Sequence, residues 1–314
     1  MRYFNAQSNL EAYLRLSRAA GDEWLSAIED LFSPAAYGCY LTNPQGVVGS
    51  MSVLEVEAGK VCVMELSQGM ELTCCRLKQP LVVLSVMGQC NLTLHGAAGS
   101  SVYPLAVIPA NREFTLSAGD ASRLILVLPM KNLPQRCPSH ASALVVASEI
   151  QRFLLMSGYL QDHRHACESA TDLFLRIDDL LASPEADACG DVPELGRRLV
   201  KVIEKIRTEP QWEFDLAELA KHAGVSERNL YYLMKRETGL TPYRYYQRCR
   251  LIRVRKRLVD CQCDVPHISW YAADEGFTHL GRFAALYREH FGELPSETVQ
   301  WRRRLQAQGA AELA

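Results

Sequence analysis

The sequence predicts an α+β, multidomain chain: an N-terminal β-sandwich or jelly roll, linking helices, and a C-terminal all-α domain. Three observations lead there. The 314 residues are enough for two domains at roughly 150 residues each. Short β-prone runs separated by glycines and prolines fill the front of the chain, and helical spacing takes over after Pro134. A β-rich front followed by a helical back does not alternate as a parallel α/β fold does, so separate domains are expected.

Composition narrows the class. An apolar fraction of 48% and a charged fraction of 22% are ordinary globular values and exclude disorder as the dominant state. No apolar run reaches the ~18 residues that cross a bilayer. Met1-Arg2-Tyr3-Phe4-Asn5 lacks the apolar core of a secretory signal, so a cytoplasmic protein with no membrane partner is expected. The 11 cysteines form no CxxC pair, and neither adjacent Cys74-Cys75 nor Cys261-x-Cys263 has a usual zinc spacing. They read as reduced, mostly buried, small apolar residues.

The net charge of −2 hides an uneven split. Residues 211–304 hold 16 Lys and Arg against 12 Asp and Glu, whereas the rest of the chain holds 18 against 24. A basic C-terminal third on an acidic body points toward a polyanionic partner.

From about Val47 to Pro129 the chain reads as strands. Val61–Leu66, Leu81–Val86 and Leu124–Leu128 are β-prone runs, and Asn91–His95 alternates polar with apolar as a half-buried strand does. Behind them Ala141–Leu160, Cys167–Leu181 and Pro193–Arg207 carry apolar residues at helical spacing. The wide apolar surface over 143–156 fits core packing and a homodimer interface equally. Ala182–Asp191 is the best flexible connection. The expected domains are therefore 1–135, 136–196 and 197–304.

The most informative feature is an internal repeat. Ala220-x-x-x-Gly224 returns as Ala272-x-x-x-Gly276, and then Leu230, Leu233, Met234, Lys235, Gly239 and Pro242 return as Phe283, Leu286, Tyr287, Arg288, Gly292 and Pro295. This spacing is that of a helix-turn-helix made twice. Asp215 and Glu218 are placed to form a capping box, Gly224 to take the positive φ of a sharp turn, and Ser226 to cap the next helix. Leu230, Leu233 and Met234 form that helix's buried stripe, leaving Arg228, Tyr231 or Tyr232, and Lys235 on the outer side for DNA. In the second copy His279, Arg282 and Ala285 take the outer side.

Between the copies Pro242–Asp260 reads as one helix about 28 Å long at ~1.5 Å per residue, near the ~34 Å advance of one DNA turn. Its arginines 244, 248, 250, 253, 255 and 257, with Lys256, are expected to neutralise phosphates and make binding salt-dependent.

These residues resemble the AraC/XylS family of bacterial transcription activators. Ile268, Ala272, Gly276-Phe277, Phe283, Tyr287-Arg288 and Phe291-Gly292-x-x-Pro295 fit the family's second helix-turn-helix, and residues 276–296 most resemble the XylS-like branch. The resemblance covers about residues 198–304. It implies base contacts from Arg228, Tyr232, His279, Arg282 and Ala285, and backbone contacts from Ser226, Lys235, Arg250, Arg253, Arg257 and Arg288. Arg282 suits a bidentate pairing with guanine, whereas Ala285 is short enough only to touch a thymine methyl. Double-stranded DNA, RNA polymerase and a second copy of the chain are the macromolecular partners implied, with cytoplasmic location and no cofactor.

The front resembles the cupin-like, effector-binding domain of that family through Gly88-Gln89-Cys90, Ile108-Pro109 and Leu128-Pro129, although the usual Pro-Gly-acid turn is absent at Pro104-Leu105-Ala106. The branch implies a small-molecule effector such as an aromatic carboxylate, and that anion would need a cation inside an apolar barrel. Arg112, His95 and Arg76 are the expected donors. Control by a protein partner or by a fatty-acid-like ligand is the alternative. A cupin metalloenzyme is the remote one, since a metal needs clustered ligands and the strand region holds His95 alone. No catalytic or metal-binding residue is expected.

Overall fold

The β-prone runs pair into two antiparallel sheets. The computed structural model describes residues 10–32, 36–75, 77–95, 99–130, 139–159, 162–182, 197–261 and 266–312. Ahead of the expected strand region lie a short 3-10 turn at Glu11–Tyr13, strand β1 (Leu14–Ala19), helix α1 (Gly21–Phe32) and strand β2 (Ala36–Leu41). Then follow β3 (Gly49–Val56), β4 (Gly59–Leu66), β5 (Met70–Cys75), β6 (Leu81–Met87), β7 (Cys90–Leu94), β8 (Ser100–Ser101), β9 (Leu105–Ile108), β10 (Phe114–Ala118) and β11 (Arg123–Pro129). One sheet runs β1-β3-β4-β11-β6-β9 and the other β2-β5-β10-β7-β8. The expected sandwich is thus formed, but it begins some thirty residues earlier than the sequence suggested.

The sequence of β11 explains its position at the centre of the first sheet. Leu124, Leu126 and Leu128 face the other sheet, in a core with Leu72, Leu92 and Leu116. Ile125 and Val127 face the opposite way and join a different cluster. A strand covered on both faces has no polar side, so it reads as an unbroken apolar run.

The second cover is helical. Helices α2 (His140–Ser157) and α3 (His163–Ala182) lay Val146, Ile150, Phe153, Leu173, Phe174 and Ile177 on the outer face of that sheet. Ser139 caps α2 by accepting from the Ser142 amide. Core packing therefore accounts for much of the apolar width of α2. The connection expected at Ala182–Asp191 lies, from residue 183 on, outside the described residues.

The C-terminal third consists of α4 (Arg197–Thr208), α5 (Leu216–Ala223), α6 (Glu227–Thr238), α7 (Pro242–Asp260), α8 (Ile268–Asp274), α9 (Leu280–Phe291) and α10 (Pro295–Glu312). Helix α7 is shared between two cores. Tyr245, Tyr246 and Cys249 near its start pack with α4, α5 and α6. Leu251, Val254 and Leu258 pack with α8 and α9, in the same cluster as the outer face of the first sheet. Leu305 of α10 reaches the core between the sheets beside Trp24 of α1. Among the described residues no helix is long and apolar enough to cross a membrane.

Candidate nucleic-acid interface

The repeat in the sequence is a repeat in three dimensions. In the first copy Asp215 accepts from the Glu218 amide at 3.0 Å and caps α5. Gly224 then closes α5 with φ +67°, donating to the Ala220 and Lys221 carbonyls. Ser226 caps α6 through the Asn229 amide. In the second copy Gly276 sits at φ +72° and Phe277 donates back to the Ala272 carbonyl. Both outer helices end on a left-handed glycine, Gly239 at φ +70° and Gly292 at φ +77°. A side chain is disfavoured in that region, which is why glycine recurs at those spacings.

One detail departs from expectation, and the second copy differs from the first in another. Glu218 does not complete a capping box; its carboxylate takes the Trp212 indole N–H and the Lys205 ammonium instead. His279, the counterpart of Ser226 as N-cap, makes no side-chain cap bond to α9.

Gly276 carries a further constraint. A Cβ there would lie 1.8 Å from Nη2 of Arg250, whereas nothing lies within 4 Å of one added at Gly281. Gly276→Ala is expected to lower unfolding free energy by about 1–3 kcal/mol, from left-handed strain and the displaced guanidinium. Gly281→Ala, inside α9, is expected to be neutral or to stabilise by up to ~1 kcal/mol. Urea unfolding of the two variants checks the contrast.

The inner stripes are Leu230 and Met234 in α6, with Leu233 half-buried, and Phe283 and Tyr287 in α9, with Leu286 half-buried. Opposite them Arg228, Tyr231, Tyr232 and Lys235 are exposed on α6, and His279, Arg282, Ala285 and Arg288 on α9 or its cap. Ser226, the cap of α6, is exposed as well. Arg228 lies 5.7 Å over the Tyr232 ring, and Tyr232 is 58% exposed, so the pair offers a cation on an aromatic plate. The Lys235 ammonium bonds the Gly239 carbonyl at 2.9 Å and must leave it to reach a phosphate.

The basic helix α7 is the main correction. Of the arginines expected on phosphates, Arg248 is 3% and Arg255 0% exposed. Arg248 donates to the Ser157 and Gly158 carbonyls at the end of α2. Arg255 pairs with Glu293 at 2.8 Å and donates to the Leu14 carbonyl of β1. Arg253 and Arg257 pair with Glu275 and Asp274, both at 2.8 Å. Arg250 lies over the Phe277 and Tyr246 rings. Four of these six arginines therefore hold α7 to α8, α9 or the turns that follow them, and Arg248 ties it to the end of α2. Arg244 and Lys256 remain exposed.

The inward arginines had a signal in the sequence. Arg248, Leu251, Arg255 and Leu258 fall at i, i+3, i+7 and i+10, one face of a helix. Two arginines in an apolar stripe are candidates for burial.

The two described effector donors, Arg112 and His95, do not meet inside the sandwich. Arg112 is exposed just before β10. His95 follows β7 on the surface, its side chain 82% exposed and 3.7 Å from Glu113. Arg76 lies outside the described residues. Arg112 and His95 sit next to strand ends, where a sequence cannot say whether a side chain turns inward or out. Among the described residues no group of His, Cys, Asp and Glu could hold a metal ion.

With that geometry in hand, comparison with known proteins is informative for the helical third. Residues 219–304 match the helix-turn-helix domain family. The chain is 39% identical over 103 residues to XylDLEGF operon transcriptional activator 3 of Pseudomonas putida, covering 33% of this chain and 31% of that protein. It is 31% identical over 140 residues to the HTH-type transcriptional activator RhaS of Klebsiella pneumoniae, covering 44% of this chain and 48% of that one. A probable AraC family transcriptional regulator from Rhodopseudomonas palustris superposes with a TM-score of 0.32 at 30% identity, over 33% of this chain and 96% of the other. The matched segment spans about a third of the length of the Pseudomonas putida activator.

Proposed function

The C-terminal third of this chain is a DNA-binding domain of the AraC/XylS family, and on that premise we propose that the whole protein is a sequence-specific transcription activator. The observation that carries the reading is the duplicated module, each copy with a buried apolar stripe and an exposed basic face. Arg228 and Tyr232 on α6, with Arg282, Ala285 and the cap His279 on α9, are the base-reading side chains. Ser226, Lys235 and Arg288 serve the backbone. Arg250, Arg253 and Arg257 do so only at the edge of the contacts that already hold them. As an activator it takes RNA polymerase as a partner, and Leu144 and Leu175, exposed on α2 and α3, suit a second copy of the chain. Control comes from a small-molecule effector, an aromatic carboxylate in the first instance. No catalysis is part of this reading.

The test separates base reading from charge. Arg282→Ala is expected to weaken operator binding by about 1–3 kcal/mol and to leave binding to unrelated duplex nearly unchanged, because a guanidinium fork on guanine discriminates by that amount. Arg288→Ala is expected to weaken both alike and to reduce the salt slope by ~1. Fluorescence anisotropy titrations at several salt concentrations give both numbers. Equal loss on both duplexes for Arg282→Ala would contradict the reading.

A further inference from the structure

A cleft of about 360 Å³ opens where β1, β3 and β4 face α7, with the 3-10 turn and the end of α2 at its sides. Four cations and two carboxylates line it. Inside the cleft Glu11 pairs with Arg207 at 2.8 Å. Arg253 is matched from outside by Glu275, and Glu65 by Arg123. Arg248 and Lys256 remain, and among the described residues neither has a carboxylate within ion-pair distance. Two unmatched positive charges on one wall call for a dianion.

The open hydrogen-bond donors narrow the choice. Arg248 is buried, and its Nε and Nη2 donate to the neutral Gly158 and Ser157 carbonyls, which leaves Nη1 unused. Burial pulls its pKa below the usual arginine value, as expected of a cation short of counter-charge. Ser17 on β1 and Ser52 on β3 are buried lining residues whose hydroxyls make no hydrogen bond among the described residues. None of these three atoms is sealed from solvent, so each opens into the cleft. Lys256 stands exposed at the rim.

Three open donors and a surplus of two positive charges match a phosphomonoester, which has three terminal oxygens and about −1.5 to −2 charge at pH 7. The rest of the cleft selects the body that the phosphoryl group carries. Glu11, Glu65 and Ser50 line that space. An ionised carboxylate has about four acceptor sites, so both glutamates can take ligand hydroxyls besides their arginines. A hydrocarbon body would leave those groups desolvated and unpaired. Tyr13 and Tyr245, 5% and 1% exposed, are too enclosed to stack a nucleobase. A body rich in hydroxyls satisfies the wall.

We propose that this cleft binds a phosphorylated polyhydroxy compound of sugar-monophosphate size. Its phosphoryl group lies on Arg248, Ser17 and Ser52 in the field of Lys256, and its hydroxyls face Glu11, Glu65 and Ser50. This ligand is additional to the effector proposed above, and neither that effector nor DNA recognition enters the argument. Since the site exists only in the folded chain, its occupant stabilises the protein by mass action.

The test uses the full-length protein, with thermal unfolding and isothermal titration calorimetry. Glucose 6-phosphate, ribose 5-phosphate and glycerol 3-phosphate are the probes. Glucose lacks the charge, and sodium sulfate at matched ionic strength lacks the hydroxyls. At least one phosphate ester is expected to raise the Tm in a saturable way, glucose to leave it unchanged, and sulfate to raise it less. Arg248→Gln is expected to weaken that ester by about 10–100-fold, the loss of a charge-assisted hydrogen bond. Lys256→Glu, a charge reversal at an exposed position, is expected to weaken it about 10-fold. That second variant guards against a fold defect in the first. An affinity left unchanged by Lys256→Glu overturns the proposal. No saturable shift with any of the three esters, or an equal one with sulfate, also overturns it. DNA recognition is judged apart from all of these by Arg282→Ala.

Discussion

Glu23→Ala is expected to lower the unfolding free energy by about 3–5 kcal/mol. Glu23 of α1 and Arg302 of α10 are 3% and 4% exposed. They meet through two parallel hydrogen bonds, Nε to Oε1 at 2.7 Å and Nη2 to Oε2 at 2.8 Å. Removing one partner of such a pair leaves a charge buried and uncompensated, and that penalty sets the magnitude. Arg302 keeps only its bond to the Val259 carbonyl at 3.0 Å. The double variant Glu23→Leu with Arg302→Met is expected to recover most of the loss, because an apolar pair of similar volume carries no desolvation penalty. Guanidinium unfolding of the three variants decides the matter; a single-variant loss below about 1 kcal/mol would mean that water reaches the pair.

The second large effect is on pH. His290 is 4% exposed on α9, where its Nδ1 donates to the Leu286 carbonyl. Burial, with added repulsion from Arg248 and Arg244, holds its pKa down at about 4 against the ordinary 6.5. Between those values the unfolded chain takes up a proton that the folded chain refuses. Stability is therefore complete above about pH 6.5 and falls as the pH drops toward 4, by about 3 kcal/mol in all at 1.36 kcal/mol per pH unit. Glu293 extends the decline to lower pH. Burial alone raises its carboxyl pKa, but Arg255 and Arg15, with bonds from Thr298 and Arg15, more than offset that and hold it below the glutamate value. Its contribution is lost below the ordinary glutamate pKa, as the pH falls through the depressed one. Urea midpoints across pH 4.5–7.5 are expected to slope for the parent and to flatten for His290→Asn; parallel slopes would remove His290 as the cause.

What the sequence revealed and what it concealed follow from the range of the interactions. The turns at Gly224 and Gly276 were legible because a positive φ is a local demand that glycine meets within one residue. The run Leu124–Leu128 was legible as a strand because two covered faces leave no polar position in it. The segment Leu14–Phe32 was not, because β1 is short and half polar and acquires its meaning from pairing with β3 and from packing of α1 on α10. Arg248 and Arg255 were read as solvent-facing for a similar reason: their acceptors lie some ninety residues away at the end of α2 and more than two hundred away in β1. Arg112 and His95 show the converse. A cation beside a strand reads the same whether it turns into a sandwich or out of it, and here both turn out.

Helix α10 has a consequence for dissecting the protein. Its first turns belong with α9, through Val299, yet Leu305 and Arg302 are anchored against α1 at the opposite end of the sequence. Severing the backbone between 183 and 196 would not liberate two self-contained halves. Each fragment would present a raw apolar seam and one member of an orphaned ion pair, and each would be the other's best chaperone. Mixed in equal amounts, the two pieces should behave as a split protein that reassembles itself.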